Sequence, residues 1–81
     1  MNDDSIFDRI SELVRREHEL RDARENGSVD AEAERRELQE TEVALDQCWD
    51  LLRQRRAKRD FGENADEAET RPADVVEKYL N

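Results

Sequence analysis

The chain has 81 residues, which leaves room for one hydrophobic core and one domain. Charged residues make up 46% and apolar residues 35%, a balance that narrows the choice to disorder, a coiled coil or a thin helical bundle. Two glycines and one proline are too few turn formers for an all-β fold, and a net charge of −9 disfavours non-specific attraction to nucleic acid or anionic lipid.

The pattern predicts a first helix over about residues 5–25. Ser5 can cap its opening turn, Asp8 completes a capping-box pattern, and Asp3 and Asp4 suit the positive end of the helix dipole. Ile6, Ile10, Leu13, Glu17 and Leu20 recur at steps of three and four along one side, and Phe7 and Val14 widen that stripe. Asn26 and Gly27 tolerate the left-handed conformation that ends a helix.

A second helix is predicted over about residues 31–60, capped by Ser28 or Asp30, with Glu32, Glu34 and Glu37 near its start and Gly62 as its stop. Leu38, Thr41, Leu45, Cys48 and Leu52 repeat the same steps, flanked by Ala44 and Leu51. The short turn forces the two helices to lie antiparallel. The pairs Leu20 with Leu38, Glu17 with Thr41, Leu13 with Leu45, Ile10 with Cys48 and Ile6 with Leu52 all have residue numbers adding to one constant, as layered packing requires. The polar layer of Glu17 and Thr41 is read as a register device.

Residues 63–71 read as an acidic linker, and 72–81 as a short C-terminal helical segment. Pro72 suits a first turn, Asp74 with Glu77 offers a capping box, and Val75, Val76, Tyr79 and Leu80 share one face. A helix this short needs something to dock on. Residues 1–62 form the hairpin. Because two-helix proteins without disulfide or metal need further burial, a homodimer is expected, a four-helix bundle with Trp49 at or near its interface.

The string from His18 to Asp22 ends in an acid where the zinc-protease helix motif has its second histidine, so His18 reads as a surface residue. Cys48, the single cysteine, reads as an inert seam residue. Its solitude and the acidic opening, unlike a secretory signal, point to a cytoplasmic protein, and no apolar run is long enough for a membrane span. The island Arg53, Arg55, Arg56, Lys58 and Arg59 complements a helix C-terminus, and the acids that follow can neutralise it.

The string Asp46 to Ala57, DQCWDLLRQRRA, resembles the signature of a family of short actinobacterial proteins classed only as a domain of unknown function. The stretch Glu17 to Leu20 resembles that family's opening pattern, and Arg71, Pro72, Val76, Glu77 and Tyr79 resemble its closing one. The resemblance implies membership and no activity, cofactor or partner.

The reading is therefore all-α: an antiparallel, coiled-coil-like two-helix hairpin with a short C-terminal helical segment, dimerising into a four-helix bundle. It predicts a non-enzymatic protein–protein interaction or oligomerisation module that acts as a homodimer or on an unidentified protein partner. A small nucleic-acid-associated regulator using the basic island is the alternative. The candidate interaction surface is Phe7, Val14, Trp49, Leu51, Arg53, Arg55, Arg56, Lys58, Arg59, Val76 and Tyr79. No catalytic, cofactor-binding or metal residue is assigned, because nothing supplies a phosphate-cradling loop or a nucleophile with a matched base.

Overall fold

A helix leaves its first backbone N–H groups without partners, and in the computed structural model Asn2 supplies one: its Oδ1 accepts from the Ser5 N–H at 2.8 Å. Helix α1 accordingly spans Asp3–Glu25, beginning two residues ahead of the predicted start. Ser5 is a donor to the cap and not the cap itself, and Asp3 and Asp4 fall inside the first turn, where the dipole favours them. The structure describes residues 2–25, 27 and 30–80, without the side chains of residues 79 and 80.

Of the two caps predicted for the second helix, Ser28 lies outside the described residues. Asp30 accepts from the N–H groups of Glu32 at 2.8 Å and Ala33 at 3.4 Å. Helix α2 spans Ala31–Asp60. Its end is a Schellman arrangement: Glu63 N–H donates to the Lys58 carbonyl at 2.7 Å and Gly62 N–H to the Arg59 carbonyl at 3.1 Å, with Gly62 at φ +73°. Gly27, at φ +65°, closes α1 by donating to the Arg24 carbonyl at 3.1 Å.

The two helices pack against each other as an antiparallel hairpin in the predicted register. Ile6 and Ile10 are buried with Leu51, and Leu45, Cys48 and Leu52 pack on them. Leu13 and Leu20 are buried further along the same stripe of α1. Ion pairs carry the same register past both ends of the apolar seam: Asp3 with Arg55 at 2.5 Å, and Arg24 with Glu34 at 3.7 Å, have residue numbers adding to the seam's constant. In the polar layer each side chain is satisfied by its own helix. Thr41 Oγ1 donates to the Glu37 carbonyl at 2.8 Å, and Glu17 pairs with Arg21 at 3.7 Å.

The segment after Gly62 is an ordered strap along α2. Asn64 caps a 3-10 turn over Ala65–Glu67 by accepting from Asp66 N–H at 3.0 Å, and Ala68 packs against the core. Helix α3, Ala73–Leu80, follows with Pro72 ahead of it, whose carbonyl accepts from Val75 and Val76 N–H. Pro72 thus precedes the first turn. Val76 is 1% exposed, so the C-terminal segment docks on its own α2.

The strap is held by polar side chains one turn apart on α2. Gln47 donates to the Arg71 carbonyl at 3.2 Å and Gln54 to the Glu69 carbonyl at 2.9 Å, while Asp50 accepts two hydrogen bonds from the Arg71 guanidinium. Hence α2 is the shared element, with α1 on one side and the strap with α3 on another. The Cα extents, 51 × 25 × 15 Å, describe a long, flattened plank.

Candidate interaction face

Residues seven apart on a helix return to the same side, so Glu42, Trp49 and Arg56 align along α2, with Arg53 one turn beyond Trp49. That line is displaced from both the α1 seam and the strap. From α1, Phe7 meets Trp49 edge to face, with ring centroids 6.3 Å apart and planes at 75°. Val14 lies seven residues beyond Phe7 on the same face. Both aromatic rings are 48% exposed and Val14 is 38% exposed.

An open groove of about 430 Å³ runs beside this pair, lined by Asp3, Phe7, Trp49, Leu52, Arg53, Arg56 and Arg59. Arg59 is tied to Asp3 at 3.0 Å. Hydrogen bonds from Arg55, and then from Arg59, hold the Asp3 carboxyl below the usual carboxylate range. Arg53 acts electrostatically on Asp50 as well as edging the groove. The surface is an aromatic pair rimmed by cations in a chain that is otherwise acidic.

Among the predicted surface residues, Phe7, Val14, Trp49, Arg53, Arg56 and Arg59 come together on this face. Four others do not belong to it. Leu51 is 6% exposed and is a core residue, because it lies three residues past Cys48 and turns toward Ile6 and Ile10. Arg55 is also 6% exposed: its guanidinium donates to Asp3, to the Ala65 carbonyl at 3.1 Å and to Asp66 at 3.0 Å, joining α1, α2 and the strap. Val76 is the anchor of α3 on α2 and is not available to a partner. Lys58 turns to Glu63 at 3.5 Å and Glu67 at 4.0 Å. The Tyr79 side chain lies outside the described residues.

Sequence reasoning missed Asp50 and Arg71, which hold the strap. Asp50 is 2% exposed. The Arg71 hydrogen bonds hold its carboxyl below the usual range against the opposing effect of burial. The available signal was the spacing of Gln47, Asp50 and Gln54, a polar row on a side of α2 that the apolar seam leaves unused. Glu77 of α3 faces Asp46, with Glu42 a turn away; hydrogen bonding to Asp46, then burial, raises its carboxyl above the usual range.

His18 is exposed. Cys48 is half-buried in the seam, and burial pushes its thiol up, with Arg9 opposing. Among the described residues no group of three His, Cys, Asp or Glu side chains is placed to hold a metal ion, and no helix is long and apolar enough to cross a membrane.

The family described as "Protein of unknown function (DUF2630)" matches residues 2–81. The uncharacterized protein Rv0898c of Mycobacterium tuberculosis is 46% identical over 77 residues, covering 95% of this chain and 88% of that protein. The uncharacterized protein Mb0922c of Mycobacterium bovis matches with the same identity and coverage. No solved structure matches the chain.

Proposed function

Because this chain belongs to the DUF2630 family of proteins of unknown function, from which no activity carries over, we propose its role from its surface: a non-enzymatic module that binds protein through the Phe7–Trp49 face. The observation that carries this reading is the half-open edge-to-face aromatic pair on the flat side of a plank 15 Å thick. A tryptophan and an adjoining phenylalanine are costly to leave in water, and aromatic residues flanked by arginine are the usual anchors of protein interfaces. Arginine at the rim adds orientation and on-rate.

The basic stretch favours a protein ligand over a nucleic acid. Arg55 is buried among acids, Lys58 is paired with Glu63 and Arg59 with Asp3, so three of the five cations are neutralised within the fold. The remaining positive edge is short, in a molecule of net charge −9.

Photo-crosslinking tests the reading. A benzophenone side chain placed at Trp49 is expected to capture protein in the cells that make this chain, whereas the same group at Arg36, exposed near the other end of α2, captures far less. Equal capture from both positions, or none from Trp49, would refute it.

A further inference from the structure

We propose that the occupant of the Phe7–Trp49 face is a second copy of this chain, lying antiparallel on it so that Phe7 meets Val14 and Arg53 meets Glu42 across a two-fold axis. The proposal rests on the preceding reading of that face as a protein-binding surface.

Helical domains bury their apolar stripes between packed layers, and in this chain Phe7, Val14 and Trp49 stay open on a side that neither the seam nor the strap covers. A second copy supplies the missing layer from the same surface, which is what an isologous contact is.

Self-complementarity then selects the register. On α2 the exposed line carries an acid, Glu42, which is half-exposed and also meets Arg21 of its own α1 at 3.7 Å, before Trp49 and a cation, Arg53, after it. An antiparallel partner therefore sets cation on acid at two symmetry-related places. On α1 the exposed apolar residues are Phe7 and Val14, and an antiparallel partner sets each on the other in the same way.

These two requirements are independent, and one axis meets both. The midpoint of Phe7 and Val14 falls between Ile10 and Ser11; the midpoint of Glu42 and Arg53 falls between Gln47 and Cys48. The hairpin register places Ile10 beside Cys48, so the midpoints lie side by side across the plank. Trp49 then sits within half a turn of the axis and packs near its own symmetry mate, covering both rings.

About this axis α2 overlaps its mate over residues 35–60, roughly 39 Å at the helical rise, and α1 overlaps its mate over residues 3–18, roughly 24 Å. At about 10 Å of width per helix this is a footprint of roughly 600 Å² per copy, near the ~800 Å² of a standard stable interface.

Charge exchange on the full-length chain, read by sedimentation equilibrium with helicity monitored by circular dichroism, tests the register. The unaltered chain is expected to be a dimer. Arg53→Glu and Glu42→Arg each weaken it by about tenfold or more, because like charges then meet twice across the axis, and the double exchange restores it. Within one chain the two positions are eleven residues apart on α2, roughly 16 Å, so restoration cannot arise from an intramolecular pair.

A helical chain that stays monomeric overturns the second-copy occupant, and the capture of a different protein at Trp49 would then stand alone as support for the binding face. A dimer that the double exchange does not restore overturns the register. A dimer unaffected by Trp49→Ala overturns the face itself.

Discussion

Replacing Asp50 by alanine should release the C-terminal strap without melting the hairpin. The Asp50 side chain is 2% exposed and accepts from Arg71 Nε at 2.8 Å, from Arg71 Nη2, and from Gln54 Nε2 at 2.9 Å. Breaking a fully buried ion pair costs about 3–5 kcal/mol, whereas an exposed one is worth about 0–1 kcal/mol. Arg71 is 37% exposed and regains water when its acceptor is removed, which places the loss between these limits. Alanine recovers about half a kcal/mol of helix propensity, leaving a net loss of about 2 kcal/mol.

That loss falls on α3, whose eight residues cannot hold a helix alone, and not on the α1–α2 seam, which Asp50 does not touch. Amide hydrogen exchange is the assay: protection at Val76 should drop by about 30-fold, at about 1.4 kcal/mol per factor of ten, while Leu45 keeps its protection. An equal drop at Leu45 would show that strap and hairpin unfold as one unit. No drop at Val76 would show that the Asp50–Arg71 contact holds nothing. Either result defeats the argument.

Three further outcomes follow from the same contacts. The raised Glu77 carboxyl contributes to α3 docking below its free value of 4.5 and stops contributing as pH rises through its raised value. The lowered Asp3 and Asp50 carboxyls contribute above 3.8 and stop as pH falls through their lowered values. Docking measured by exchange at Val76 should therefore be strongest in mild acid, and Glu77→Gln should flatten only the limb toward neutral pH; a persisting limb in that variant would contradict the assignment. Cys48 should react with a disulfide reagent far more slowly in the folded chain than in urea, since it is half-buried with its thiol pushed up; equal rates would place it at the surface. Gly62→Ala should lower the urea midpoint by about 1–2 kcal/mol of stability, because a Cβ meets no atom there but is strained at φ +73°; an unchanged midpoint would mean the turn relaxes freely.

Periodicity alone determined the hairpin. Ile6, Ile10, Leu13, Leu45, Cys48 and Leu52 repeat at helical steps, and a short turn leaves two such stripes one way to meet, so register followed from residue numbers. The ion pairs of Asp3 with Arg55 and Arg24 with Glu34 extend that register, yet they were not legible, because in so charged a chain every acid has several cations within reach. The cap at Asn2 differed from the expected Ser5 for a similar reason: both residue types cap, and neighbouring starts compete closely.

Tertiary structure alone decided which side of α2 each remaining residue serves. Leu51, Arg55 and Val76 look like surface candidates from the sequence; Leu51 turned in toward Ile6 and Ile10, and Arg55 and Val76 became interior when the C-terminal segment folded back along Gln47, Asp50 and Gln54. A strap with little apolar content of its own has no period to announce its docking. It is held by amide and carboxylate hydrogen bonds to particular carbonyls and one guanidinium, and such contacts depend on three-dimensional position rather than on any repeat in the chain.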